Sequence, residues 1–473
     1  MTKATNTEVA VVGGGLAGLV TARLLVAEGV DTVVLEARRR VGGRLLDEPI
    51  GGGKVVEVGG QWTGPTQRRI AALAAELGVE SFPTHAAGRN VLEVRGRRVV
   101  YSGQLTGSSL GLVRELACGV SAAALLDFEQ ARVRLDWMAR QVPVEEPWRA
   151  PKAERWDGQT FESWVRSNTV TNAARTLFEL VTEAVWACEP ADLSLLHVLF
   201  YVKSAGGRLN SLLGTDGGAQ QNRFHGGPQQ IATRLAEELG DSVLSLGAPV
   251  RRIEHGRDGV VVHGGGHPGE QQHLVRARRA VIAIPPTLTA RIAYSPSLPA
   301  IRDQLTQRMP QGAVIKTMAI YDRPFWRDEG LSGHAVSDAV AARVTFDNSP
   351  PDHTPGVLLG FLEGRLARQW GGRPARERRA AVLAGHTHLF GPAAAEPVGF
   401  VEQVWAAEEW TRGCYGCVMT PGGWTGFGAA LRAPIGALHW AGAETATEWS
   451  GYMDGAVQSG ERAASEVLAE IGY

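Results

Sequence analysis

The chain has 473 residues, enough for two or more domains of ~100–200 residues each and for a packed core. Lys and Arg number 48 against 49 Asp and Glu, a net charge of −1, and 44% hydrophobic with 21% charged residues is an ordinary globular composition. These figures exclude a field that gathers polyanions, and nucleic acid with it, as well as extended disorder.

Met1 to Glu8 carry no apolar signal-like stretch, and Val9-Ala10-Val11-Val12 opens a β-branched run. Gly13-Gly14-Gly15-Leu16-Ala17-Gly18 follows, then an apolar helical pattern through Leu24 and Val26, then a second strand, Thr32-Val33-Val34-Leu35, ending in Glu36. Strand, tight turn, helix, strand and an acid eighteen residues after Gly18 predict a Rossmann-type dinucleotide unit. Gly13 permits the turn, Gly15 admits a pyrophosphate to the backbone, and Gly18 lets the helix pack on the strand with its N-terminal N–H groups toward the phosphates. Glu36 accepts from ribose hydroxyls and disfavours a 2′-phosphate. Arg38, Arg39 and Arg40 read as solvated surface, with a phosphate clamp as the alternative.

From about Thr84 to Leu213 the spacing of Ala, Leu, Glu and Arg predicts a helical insertion, as at Leu177, Val181, Ala184 and Val185. Its most apolar stretch, Leu110 to Leu126, is interrupted by Arg114 and Glu115, so no membrane span is expected. Val243–Leu246, Val250–Ile253, Gly259–Val262 and Leu274–Val275 read as short strands, and Ala280–Ile284 as a buried strand stopped by Pro285-Pro286. A mixed segment follows to about Pro397, without an internal repeat or flexible linker, so the chain is expected to cross between two domains more than once. Four scattered cysteines, Cys118, Cys188, Cys414 and Cys417, suit a reducing, cytoplasmic setting.

More specific are the glycine pairs in Val41-Gly42-Gly43-Arg44 and Val58-Gly59-Gly60-Gln61-Trp62, with Leu438-His439-Trp440-Ala441-Gly442-Ala443-Glu444 and Trp449-Ser450-Gly451-Tyr452-Met453-Asp454 near the C-terminus. Together they resemble the flavin-containing amine oxidase family, closest to monoamine oxidases and bacterial relatives such as putrescine oxidase, over nearly the whole chain. The resemblance implies an α/β fold, α+β in its two-domain sense. A Rossmann-type FAD-binding domain (1–83, 214–294 and 398–473) is interleaved with a mixed-sheet and helical substrate-binding domain (84–213 and 295–397). It implies FAD as cofactor, contacted by Gly13, Gly15, Gly18, Glu36, Arg38, Gly43, Arg44, Gly60, Gln61, Trp62, Val250, Trp405, Trp410, Cys414, Gly442, Glu444, Gly451, Tyr452 and Met453. It also implies oxidation of an amine to an imine and then an aldehyde, with O2 reduced to H2O2. The partners implied are a small-molecule amine, O2 and a second copy in a homodimer, with no metal, nucleic acid or membrane. Ending just beyond the last helix, the chain is expected to be soluble.

Small and apolar residues from Asp454 to Ile471 predict a helix, and in this family its N-terminus, worth roughly +0.5 charge, faces the flavin edge that becomes anionic on reduction. Tyr415 and Tyr452 match the two tyrosines that form an aromatic cage in front of the flavin in monoamine oxidases. Ring faces carry negative potential and receive a neutral amine between them. Lys316 sits in an apolar run, where a lysine is costly unless paired or hydrated. It matches the family's lysine on a flavin-bound water, assisting O2 reduction or imine hydrolysis. Lys316, Tyr415 and Tyr452 are therefore the expected catalytic residues. Cys414 matches the position of a thioether to FAD in mammalian members; Cys414-x-x-Cys417 as a redox pair or metal half-site is the alternative, lacking a thioredoxin context and a second ligand pair. A covalent flavin is preferred.

Amino acid oxidases of the superfamily generally hold the substrate carboxylate with an arginine after the glycine pair, where this chain has Gln61-Trp62. An amine without a carboxylate is therefore expected. A diamine needs a polar or anionic group at the far end of the cavity, whereas Leu331–Thr345, which resembles the family's pocket-lining stretch, is largely small and apolar with Asp338 its single acid. A primary monoamine with an aromatic or aliphatic tail is favoured. A diamine or polyamine oxidase, a flavin desaturase acting on a hydrophobic molecule, and a non-catalytic flavin scaffold are the alternatives.

Overall fold

The computed structural model describes residues 2–103, 120–265 and 272–472. Cys118 and most of the Leu110–Leu126 stretch lie outside the described residues. Among those described, strands numbered in chain order form an eight-stranded sheet, a seven-stranded sheet and two small ribbons.

In the first sheet β1 (Thr2–Val12) lies parallel between β2 (Thr32–Glu36) and β12 (Gln272–Ile282). Val9, Ala10 and Val11 are fully buried, as a central parallel strand covered on both faces requires. Burying each larger apolar side chain there contributes ~1.5–3 kcal/mol. The helix Leu16–Ala27 makes the crossover to β2, and β9 (Leu244–Leu246) continues the parallel order beyond it. Outward from β12 come β11 (Val260–Gly264), β10 (Val250–His255) and β13 (Ala293–Ser295), while β19 (Leu438–Trp440) adds to β12 in parallel. Leu274–Val275 and Ala280–Ile284 are thus not two strands. Leu274, Val275 and Ala280–Ile282 belong to one eleven-residue strand whose first half pairs with β11 and whose end pairs with β19, and Ala283 and Ile284 follow it.

The second sheet runs in the order β18 (Gly399–Val404), β14 (Val314–Tyr321), β17 (Gly356–Glu363), β16 (Val344–Asp347), β15 (Leu331–Ser337), β6 (Arg89–Val94) and β7 (Arg97–Tyr101). The expected helical insertion therefore begins with a hairpin instead. Arg95 and Gly96 have φ of 54° and 74°, the left-handed pair that a two-residue hairpin turn demands. Further on, the segment is helical at Ala122–Ala139, Asn172–Trp186 and Leu195–Ser204. β18, within the range expected for the FAD-binding domain, pairs antiparallel with β14 and gives that strand a neighbour on each side. The ribbons are β3 (Asp47–Gly51) with β4 (Lys54–Glu57), and β5 (Ser81–Pro83) with β8 (Asn222–Phe224). Among the described residues no helix is long and apolar enough to cross a membrane, and no group of three or more His, Cys, Asp or Glu is placed to hold a metal ion.

Candidate functional site

A cavity of about 320 Å³ is bounded by elements from both large sheets. Its floor is one face of the second sheet. Side chains two apart in a strand share a face, and the pairs Val314 and Lys316, Phe361 and Glu363, Val344 and Phe346, and His334 and Val336, from four adjacent strands, all line the cavity. Across from them the helix Asn172–Trp186 contributes Leu177, Leu180, Val181, Ala184 and Val185. The residues that mark its helical spacing are also those it presents to the cavity.

The other end is glycine and backbone. A Cβ on Gly18 would lie 2.0 Å from the Gly13 carbonyl oxygen, so close packing of helix on turn requires glycine there. Gly13 itself has φ of +106°. At Gly15 a Cβ would meet nothing nearer than Gly43 Cα at 4.0 Å, so this residue opens onto the cavity. The helix starting there has no side-chain cap on its first N–H groups, leaving donors for an anion. Glu36 is buried on the wall, its carboxylate accepting from Gly14 N at 2.7 Å and Arg38 N at 2.8 Å. Arg38, also on the wall, donates to Thr411 Oγ1 at 2.5 Å, and its buried Nε has no partner. The arginine triplet thus divides: Arg38 lines the cavity, Arg39 is exposed, and Arg40 donates to the carbonyls of Val41, Gly43 and Leu45.

Between these ends lie the ionisable groups. Lys316 is 3% exposed and its Nζ donates to Gly59 O at 3.0 Å and Gln61 Oε1 at 2.5 Å. Burial pulls its pKa down to about 7 against the attraction of Glu57 and Asp47. Tyr415 donates its hydroxyl to Glu363 Oε1 at 2.6 Å, and burial, then the neighbouring carboxyl, pushes its phenol well above the ordinary value. Burial likewise pushes Glu363 up to about 8, with Tyr415 opposing, and its Oε2 has no partner. Tyr452 packs against Tyr201 with ring centroids 5.9 Å apart, and a Cβ on Gly451 would stand 2.7 Å from the Tyr201 hydroxyl. Cys414, joined to Tyr415 by a cis peptide, is buried on the wall, its thiol pushed up to about 12 by burial.

The C-terminal helix begins at Met453, one residue before expectation, and its N-terminus also has no side-chain cap. Asp454, in its first turn, instead accepts from Arg69 N at 2.7 Å and Ile70 N at 3.0 Å at the start of the helix Arg68–Glu76. Met453 and Ala456 face the cavity.

Of the residues singled out by sequence, Gly60, Gln61, Trp62, Trp405, Trp410, Gly442 and Gly451 also stand on the wall, with Arg44 and Gly43. Gly18, Val250 and Glu444 do not. Gly18 is behind the turn and Val250 opens β10. Glu444 is 4% exposed and holds Arg44 by two bonds of 2.6 and 2.9 Å, an arrangement that fixes the guanidinium, which also donates to Tyr415 O. In the Leu331–Thr345 stretch His334, Val336 and Val344 line the cavity, whereas Asp338 accepts from Arg95 N away from it. Sequence reasoning missed Glu363, an acid ending an otherwise apolar strand, and Asn348, whose isolation gives no signal.

A family model described as flavin containing amine oxidoreductase matches residues 16–468. A protein of Mycobacterium tuberculosis named as a flavin-containing monoamine oxidase, AofH, is 42% identical over 462 residues, covering 98% of this chain and 96% of its own length. Among solved structures, putrescine oxidase bound to putrescine is similar with a TM-score of 0.90 at 33% identity, covering 99% of this chain and 100% of that one. Cyclohexylamine oxidase from Brevibacterium oxydans is similar with a TM-score of 0.90 at 32% identity and the same coverage.

Proposed function

Because the chain belongs to the flavin-containing amine oxidoreductase family, with FAD as cofactor, we propose that it oxidises a primary amine to an imine, which water converts to an aldehyde, with O2 as electron acceptor and H2O2 as product. The residues fit the cofactor: Gly15 leaves open space, the helix behind it offers free N–H groups, and Arg38 Nε on the same wall lacks a partner. In this reading the Gly13–Gly18 turn holds the pyrophosphate, Glu36 the adenosine ribose, and the start of the helix Met453–Ile471 the electron-rich edge of the ring. Bound FAD supplies a two-electron acceptor for the α C–H bond and a route for those electrons to O2.

The chain's own residues do the rest. Tyr415 and Tyr452 are kept neutral by burial, so they receive the amine through ring faces and hydroxyls without fixing it as an ammonium. Lys316 Nζ, near pH 7, holds or yields a proton at the cavity. The apolar wall excludes water from the reacting nitrogen. The observation that carries this reading is that Lys316, Tyr415 and Tyr452, from three distant segments, line one cavity with Gly13 and Gly15.

For the tail, Leu177, Leu180, Val181, Val344 and Phe346 favour a monoamine with an aromatic or aliphatic chain. A diamine is the second reading, supported by the unpartnered polar atom, Glu363 Oε2, that the cavity wall presents beside Tyr415. The first sheet then carries FAD and the second, with β18, the substrate. Free, buried Cys188, Cys414 and Cys417 support a cytoplasmic setting, and we take the working form to be a homodimer. The test is anaerobic addition of monoamines and diamines to the yellow holoenzyme. Bleaching of the flavin band, recovering in air with release of H2O2, is expected; a holoenzyme bleached by none of them refutes the proposal.

A further inference from the structure

Lys316 does not stand alone in the wall. Its acceptor Gln61 donates through Nε2 to Asn348 Oδ1, and Asn348 donates through Nδ2 to Glu57 Oε2 at 2.9 Å. Glu57 is held in turn by Arg223, whose guanidinium donates to both carboxylate oxygens at 2.8 to 3.1 Å. Gln61, Asn348, Glu57 and Arg223 are each 3% exposed or less. We propose that this buried line, Glu57 to Asn348 to Gln61, is a relay of fixed polarity that positions the Lys316 amine, making the three of them positioning residues for the cavity lysine.

The direction of the line follows from its ends. A carboxylate only accepts, so the Asn348 group facing Glu57 is its NH2, and an ammonium only donates, so the Gln61 group facing Lys316 is its oxygen. With both ends set, the middle contact must be Gln61 N–H to Asn348 oxygen, as found. Neither amide can turn over without placing like groups together.

Gly59 O and Gln61 Oε1 therefore take two N–H bonds of Lys316 whether it is charged or neutral. The third position on nitrogen is offered to the cavity. It is an N–H when the amine is protonated and a lone pair when it is not. The relay thus converts a change of charge into a change from donor to acceptor at one place, without movement of the side chain.

The charged and titratable groups acting on Lys316 are Glu57 on β4, Asp47 on β3, Arg223 on β8 and Cys414. Its strand neighbours Phe361 and Gln403 are neutral, and the Trp62 and Phe361 rings, with centroids 5.4 and 5.5 Å away, favour the charged form. Arg223 holds the Glu57 carboxylate below its usual range despite burial, so the far end stays anionic while Lys316 titrates.

The inference rests on the proposed function only in giving Lys316 something to act on, and its test needs no substrate. The visible spectrum of oxidised holoenzyme is titrated from pH 5.5 to 9.5. The unaltered protein is expected to show a transition near pH 7 that Lys316→Met lacks, which separates it from titration of Asp47. Gln61→Glu, which sets a carboxylate against Nζ, moves the midpoint up by about 1 unit or more. Asn348→Leu frees Gln61 from its orientation and moves it down. A merely structural role would lower stability and leave the midpoints in place. Variants that bind FAD and titrate with the wild-type midpoint, or a transition near pH 7 that survives in Lys316→Met, overturn the proposal; a transition near 8 that disappears in Glu363→Gln belongs to Glu363, and failure of the amine screen leaves this result untouched.

Discussion

Glu363 lets the electrostatics of the cavity be measured through folding. Its carboxyl titrates near 8 in the folded chain against a usual value of 4.5, because burial outweighs the bond from Tyr415. Between those two values the folded protein carries a proton that the unfolded chain has released, so stability falls as pH rises through this window and levels off above the folded value. From pH 6 to pH 8 the loss is about 2 kcal/mol, at about 1.4 kcal/mol per unit of difference. Glu363→Gln keeps an oxygen for the Tyr415 hydroxyl and does not titrate. The variant should therefore gain about 2 kcal/mol on the wild type over that interval. With an unfolding entropy of ~2.1 cal/mol/K per residue over 473 residues, the gain is about 2 °C in Tm. The assay is thermal unfolding of both holoenzymes at pH 6 and pH 8 at one scan rate. A Tm gap equal at the two pH values, or one moving toward the wild type as pH rises, would show the carboxyl ionised in the fold and refute the reasoning.

Glu444→Gln removes the charge that pairs with the Arg44 guanidinium and leaves it one acceptor oxygen in place of two, a loss of ~3–5 kcal/mol; a lower Tm and FAD shed on gel filtration are expected, and full FAD retention counts against the role given to Arg44. Gly18→Ala drives a methyl into the Gly13 carbonyl and should cost ~1–3 kcal/mol with weakened FAD binding. Gly29→Ala, at φ +80° with nothing within 4 Å, should lower stability through strain alone and keep FAD; equal FAD loss in both would contradict the packing argument. Acid precipitation should leave yellow colour in the pellet, and Cys414→Ala should release it to the supernatant. Complete release from the unaltered protein rules out the thioether.

Local rules made the nucleotide end legible. A β-branched strand, a turn that only glycine fits, and an acid closing the second strand are each dictated within a few residues, and Val9–Glu36 folds accordingly. The paired glycines, Tyr415, Tyr452 and Lys316 stand out in the sequence through resemblance alone, and in the structure these three side chains line one cavity. The hairpin Arg89–Tyr101 was missed because its charged outer positions imitate a helix face, although the Arg95-Gly96 turn was there to be read. Glu363 and Asn348 were out of reach for another reason. Their importance lies in partners 52 and 287 residues away, Tyr415 and Gln61, and no pattern in one sequence records which distant strands become neighbours.

The central sheet also sets an order of assembly. β1 comes from the beginning of the chain, β12 from its middle and β19 from near its end, and Asp454 ties the last helix to residues 69 and 70. A nascent chain whose synthesis has reached residue 430 possesses every glycine of the first turn, yet lacks β19, Tyr452 and the helix Met453–Ile471. The wall to which Tyr452, Met453 and Ala456 belong is therefore complete only once β19 and the helix Met453–Ile471 have been made, so a chain still short of them has the turn for a dinucleotide without the enclosure.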